Sequence, residues 1–151
     1  MKARARASAP AKVILLGEHF VVHGEPAIVL AIDKRATVTA ELRTDRKMWI
    51  ESKTLGVSGY FLRDRFHAEE GGMVARERLE PVYAIVRSLS DLSAKDAGVS
   101  IKIESSIPVA AGLGSSAAVA VASAAALSRL LDAELTKDEI FKTALEAEKI
   151  V

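Results

Sequence analysis

The sequence predicts an α+β domain with helices packed on one face of a largely antiparallel sheet. Segments that alternate apolar and polar residues fill the first third of the chain and return at Gly98–Ser105. Helical spacing appears at Arg76–Leu89 and again from about Ser115 onward. The resulting order is several strands, a helix, a strand and two helices, which is not the strict alternation of a parallel α/β fold.

Taken in order, Lys2–Ser8 reads as a strand and Lys12–Leu16 as a buried one. Gly24 and Pro26 mark the turn after "GEHFVVHGEP". Ala27–Ile32 and Arg35–Leu42 read as further strands, the second cleanly alternating, and "KMWIES" as a short one. Gly56–Gly72, with glycines at 56, 59, 71 and 72 and mixed charges, reads as an irregular, mobile surface excursion. In Arg76–Leu89, Val82, Ile85, Val86 and Leu89 share a face, and Pro81 falls inside the pattern, which blurs the helix start. Val99, Ile101 and Ile103 point one way from the strand Gly98–Ser105. A helix follows over about Ser115–Leu131, and Thr136 and Glu139 stand at capping-box spacing ahead of the last one. No repeat or low-complexity linker divides the chain.

Composition narrows the function. The 151 residues are 50% hydrophobic, 27% charged and 5% aromatic, with a formal net charge of +1. Such a chain suits a water-soluble domain and carries no field that would recruit nucleic acid or an anionic membrane. It has no cysteine, which excludes disulfides, zinc–thiolate sites and a cysteine nucleophile, and suits a cytoplasmic location. The basic N-terminus "MKARARASAPAK" alternates with period two and leads into an apolar strand, so an edge strand is favoured over a transit peptide. The uncharged run Val109–Leu127 has the length of a membrane span, but its glycines, serines and opening turn favour a buried helix.

Three places could carry chemistry. Gly112 and Gly114 flank Leu113 just before a helix, and Ser115 and Ser116 follow. Glycines admit close backbone approach, and a helix N-terminus offers unpaired N–H groups and partial positive charge, so the loop can cradle phosphate. It is equally compatible with a flexible joint capped by Ser115, since it matches neither a Walker A loop nor a dinucleotide fingerprint. Ile140, Phe141, Ala144 and Leu145 define the apolar face of the last helix, and Glu148 falls on that face. A carboxylate there needs a partner or a metal, unless the final turn is frayed. Glu146, near Lys142 and Lys149, is an ordinary solvated cluster. Lys12 lies at the start of an apolar strand and Glu18-His19 at its end, where binding groups commonly collect; an ordinary hairpin would also allow them. His23 and His67 read as surface residues, and the three histidines suggest no metal cluster.

Together, "PAKVILLGEHFVVHG" and "PVAAGLGSSAA" resemble the first two motifs of the GHMP kinases, the small-molecule kinase superfamily that includes galactokinase, homoserine kinase and the mevalonate and phosphomevalonate kinases. The pattern P-x-x-x-G-L-G-S-S-A is met in full from Pro108 to Ala117, and Gly-Glu-His followed by Val-Val-His-Gly looks most like the archaeal kinases of mevalonate. The resemblance spans nearly the whole chain. It implies a ribosomal protein S5 domain 2-like fold forming the N-terminal, ATP-binding domain of residues 1–151. It further implies ATP-dependent phosphorylation of the primary hydroxyl of mevalonate. In that scheme Lys12 lies near the reacting hydroxyl, and Glu18 and His19 hold the substrate. Pro108, Ala110, Ala111, Gly112, Leu113, Gly114, Ser115 and Ser116 surround ATP, while Ser116 and Glu148 hold Mg²⁺. The family's third motif, H-G-x-P-S-G-x-D, with its catalytic Asp, is expected after Val151, as is a ferredoxin-like second domain; the 151 residues alone are then expected to turn over negligibly. The implied partner is a small molecule, with no nucleic acid or membrane and with a homodimer allowed. The competing expectations are another substrate within the same superfamily and, outside it, a non-catalytic nucleotide- or RNA-binding module.

Overall fold

The computed structural model describes residues 4–93 and 98–150; the predicted strand start at Lys2 lies outside them. Six strands and three helices follow as β1 (Arg4–Leu16), β2 (Ile28–Arg43), β3 (Met48–Ser52), β4 (Val57–Leu62), β5 (Arg65–Glu70), α1 (Gly72–Ser93), β6 (Gly98–Ser105), α2 (Ser115–Leu130) and α3 (Lys137–Glu148). The sheet order is β1-β2-β6-β3-β4-β5. Every neighbouring pair is antiparallel except β3–β6. The predicted α+β class holds, with the largely antiparallel sheet and its helices.

Alternation builds the core. Val38, Ile50, Ile101 and Ile103 point inward from neighbouring strands and meet Leu79, Val82, Ile85, Val86 and Leu89 of α1. Helix α2 lies on β1 and β2, α1 on β3, β4 and β5, and α3 on the other two helices. Buried alanines make the α2 contact close: Ala118, Ala120, Ala122, Ala124 and Ala126 belong to one core with Ala5, Ala9, Ala11, Ala36 and Ala40. With no long side chains between them, helix and sheet backbones can approach closely. No helix among the described residues is long and apolar enough to cross a membrane.

Five expectations need correction. The four N-terminal strands are two long ones, joined across a register shift between Pro10 and Ala11. Gly56–Gly72 is not an irregular excursion but mostly the β4–β5 hairpin. Its turn uses Arg63 and Asp64, both at positive φ (48° and 64°), the mirror-image turn that fits strand twist without the glycine that normally announces it. Gly59 is a packing glycine: a Cβ there would lie 2.6 Å from the ring of Phe66. The end of β1 is not buried, because Leu15 and Leu16 extend past the helices and are 60% and 62% exposed. Finally, α3 turns Ala144 and Ala147 inward and leaves Phe141 and Leu145 exposed. Helix α1 begins at Gly72 rather than Arg76 and continues through Pro81.

Candidate functional site

Between the start of α2, α1 and the β3–β4 turn lies a cavity of about 460 Å³. The glycine loop forms one wall. Gly112 and Gly114 take positive φ (68° and 71°), as does Ala110 (58°), a left-handed conformation that L-residues other than glycine adopt only at a cost. Gly114, not Ser115, caps α2, and it does so through its backbone alone. The first intrahelical bond runs from Ala118 N–H to Gly114 C=O at 3.0 Å, so the N–H groups of Ser115, Ser116 and Ala117 precede the ladder. Glycine is needed at 114 for a second reason: a Cβ there would stand 2.9 Å from Cγ of Lys12.

Strand β1 brings in Lys12. Its backbone N–H donates to Leu113 C=O at 2.9 Å, which fastens the loop to the strand. From the other side comes the carboxylate of Glu148, near the end of α3; the Ser116 hydroxyl donates to it across 32 residues of sequence. Glu148 thus has the partner that its half-buried position calls for. The capping box of α3, in which Glu139 accepts from Thr136 N–H at 2.8 Å and Thr136 Oγ1 accepts from Glu139 N–H at 3.3 Å, fixes where that helix starts.

Lys12, Glu148 and all eight of the loop residues from Pro108 to Ser116 singled out in the sequence line this one cavity. Glu18 and His19 do not: they stand exposed on the turn beyond the end of β1. Sequence reasoning missed the opposite wall, made by Thr54 and Leu55 of the β3–β4 turn and by Glu77, Arg78, Pro81 and Val82 of α1. Pro81 was the available signal. A proline inside a helix leaves the carbonyl four residues back, here Glu77, without its usual donor, and both residues line the cavity.

A pocket with a backbone cradle, a lysine and a hydroxyl–carboxylate pair is suited to holding an anion with its counter-cation. Residues 80–151 match the GHMP kinases N terminal domain. Over 148 residues the chain is 47% identical to the mevalonate kinase of Pyrococcus abyssi, covering 96% of this chain and 44% of that one. The chain is similar to the N-terminal part of GHMP kinases. It spans less than half the length of that curated relative.

Solved GHMP kinases share the fold. The crystal structure of the Methanococcus jannaschii mevalonate kinase superposes with a TM-score of 0.75 at 26% identity, covering 96% of this chain and 46% of that one. The Lactococcus lactis galactokinase complexed with galactose also gives 0.75, at 24% identity and with 98% and 38% covered. The fold alone therefore does not separate mevalonate from a sugar as the GHMP kinase substrate.

Proposed function

We propose that residues 1–151 are the N-terminal, ATP-binding domain of a longer kinase that transfers the γ-phosphoryl group of ATP to the primary hydroxyl of mevalonate, giving 5-phosphomevalonate. The hydrogen bond between Ser116 and Glu148 carries this reading. It joins a hydroxyl at the start of α2 to a carboxylate from α3 inside the cavity that Lys12 also lines.

Phosphoryl transfer asks for positioning and charge neutralisation more than for covalent help. The N–H groups at the start of α2 and the open backbone at Gly112 and Gly114 would receive phosphate oxygens. The Lys12 ammonium would sit beside charge developing on the transferred group. Among the described residues no cluster of three or more His, Cys, Asp or Glu forms a metal cage. A single carboxylate with a hydroxyl matches the way Mg²⁺ is usually held, with substrate phosphates supplying further oxygens. Ser116 and Glu148 are the residues that would hold it, and when bound it supplies charge compensation to the phosphates. Glu18 and His19, on the turn past β1, would meet the acceptor rather than the nucleotide. The choice of mevalonate draws on the 47% identity to the Pyrococcus abyssi enzyme, and the cysteine-free chain suits a cytoplasmic setting.

The test is an ADP-release assay on the complete protein with mevalonate, phosphomevalonate, homoserine and galactose as acceptors. Turnover on mevalonate far above the others is expected. Preference for another acceptor would move the substrate within the family, and ATP turnover with none of them would remove the kinase reading.

A further inference from the structure

We propose that Arg35 is a positioning residue for the nucleotide cavity, one that fixes the glycine loop and Lys12 relative to each other from outside the cavity. The proposal rests on the kinase reading above. Arg35 stands where two ladders of the sheet change at once. In β1–β2, Pro10 pairs with Arg35 but Ala11 pairs with Ile32, so Asp33 and Lys34 of β2 are bulged out. Bulges of this kind re-aim the strand beside them, and the next β1 residue after Ala11 is Lys12. In β2–β6 the last pair is Ala36 with Ser105, and the chain leaves the sheet at Ser106 to become the loop.

Five hydrogen bonds meet at this point. The Arg35 guanidinium donates from Nε to Ser8 Oγ at 3.0 Å and from Nη2 to Ser8 C=O at 3.2 Å, holding β1 on the far side of the bulge. The Arg35 backbone N–H donates to Ser106 Oγ at 3.0 Å, while Ser106 N–H and Oγ both donate to Arg35 C=O, at 3.0 and 3.3 Å. One residue therefore ties β1, β2 and the first loop residue together. The next fixed points are Ile107, whose side chain is buried, and Leu113, whose carbonyl takes the Lys12 N–H. Between them Pro108–Gly112 is exposed and belongs to no strand or helix, so its course is set by its two ends. The fork geometry of a guanidinium suits a paired contact of this sort, and a lysine could make only part of it.

The experiment uses the full-length protein with Arg35→Met, Arg35→Lys and Ser106→Ala, and follows nucleotide KM, kcat, Tm and exchange of the Lys12 amide by NMR. For Arg35→Met we expect a nucleotide KM about tenfold higher and Lys12 amide exchange about tenfold faster, the size of one lost charged hydrogen bond. Tm should fall by only a few degrees. Arg35→Lys should recover part of both effects, and Ser106→Ala should reproduce them even if Arg35→Met folds poorly. Unchanged KM with unchanged Lys12 amide exchange, whatever happens to Tm, would overturn the proposal. A wild-type protein that fails to bind Mg-ATP would instead remove the kinase reading, and the amide exchange would still decide whether Arg35 holds the loop.

Discussion

Two hairpins of the sheet, β1–β2 and β4–β5, end in opposite ways. The β1–β2 hairpin begins inside the core, with Ala5, Ala9, Ala36, Val38 and Ala40 buried, but its far end carries Leu15, Leu16, Val22, Ile28, Val29 and Leu30 into solvent. The β4–β5 hairpin ends in charged residues, Arg63, Asp64 and Arg65, and yet is held down. Asp64 accepts from the Tyr83 hydroxyl at 2.5 Å and is ion-paired to Arg87, both on α1, while Phe61 and Tyr83 stack with ring centroids 3.8 Å apart. Whether a strand end is covered depends on whether a helix reaches it, not on how apolar it is. A contiguous apolar edge of this kind marks a surface that another element or molecule covers.

The largest test of this contrast is a pair of truncations. Phe61→Ala, in the covered hairpin, should cost about 3–5 kcal/mol in urea unfolding. Val29→Ala, at the uncovered end, should stay within about 0.5 kcal/mol. Equal costs would mean that the β1–β2 end is packed in solution. Next comes Lys12→Met, at the place where the first hairpin passes from covered to open. It should lower the turnover of the complete kinase by about a hundredfold while leaving urea stability nearly unchanged. A stability loss matching the activity loss would make Lys12 a structural residue. The smallest effect concerns Asp64, whose pKa is lowered by the Tyr83 hydrogen bond first and then by Arg87. A depressed carboxylate stabilises the fold above its unfolded pKa, near about 4, and loses that contribution as pH falls through the lower folded value. Amide protection at Arg63–Arg65 should therefore drop as pH falls from about 5 towards 2, beyond the intrinsic pH effect seen at the β1–β2 end. Protection that follows only the intrinsic effect would show that the latch is not ionic.

The glycine loop was legible because its signal is local: Gly112 and Gly114 do take positive φ at the start of a helix. Glu148 was legible through helical spacing, although the inward face is only partly the one that the spacing marks. Ala144 is indeed its buried neighbour, but Ala147, not Leu145, completes the inward face. The β4–β5 hairpin was illegible for the converse reason. Its turn residues, Arg63 and Asp64, carry none of the usual glycine or asparagine marks, and Gly59 and Gly71 serve close packing, each with a Cβ position 2.6 Å from a neighbour. Thr54, Glu77 and Arg78 reach the cavity only because the sheet order brings β3 alongside β6 and α1 packs on β3 and against α2, long-range contacts that no local pattern encodes. Glu18 and His19 stand out by motif and chemistry alone, and their turn lies past the end of the covered sheet.

The single parallel pair has a consequence for synthesis. Strand β6 lies between β2 and β3, but it is the last strand to be made. Domains emerge from the ribosome N-terminus first, at roughly 5–20 residues per second. Until Ser105 has emerged, β1–β2 and β3–β4–β5 share no hydrogen-bonded edge, because both of their inner edges belong to β6. A nascent chain shorter than that holds two separate antiparallel pieces, each with an open edge facing the place the last strand will fill.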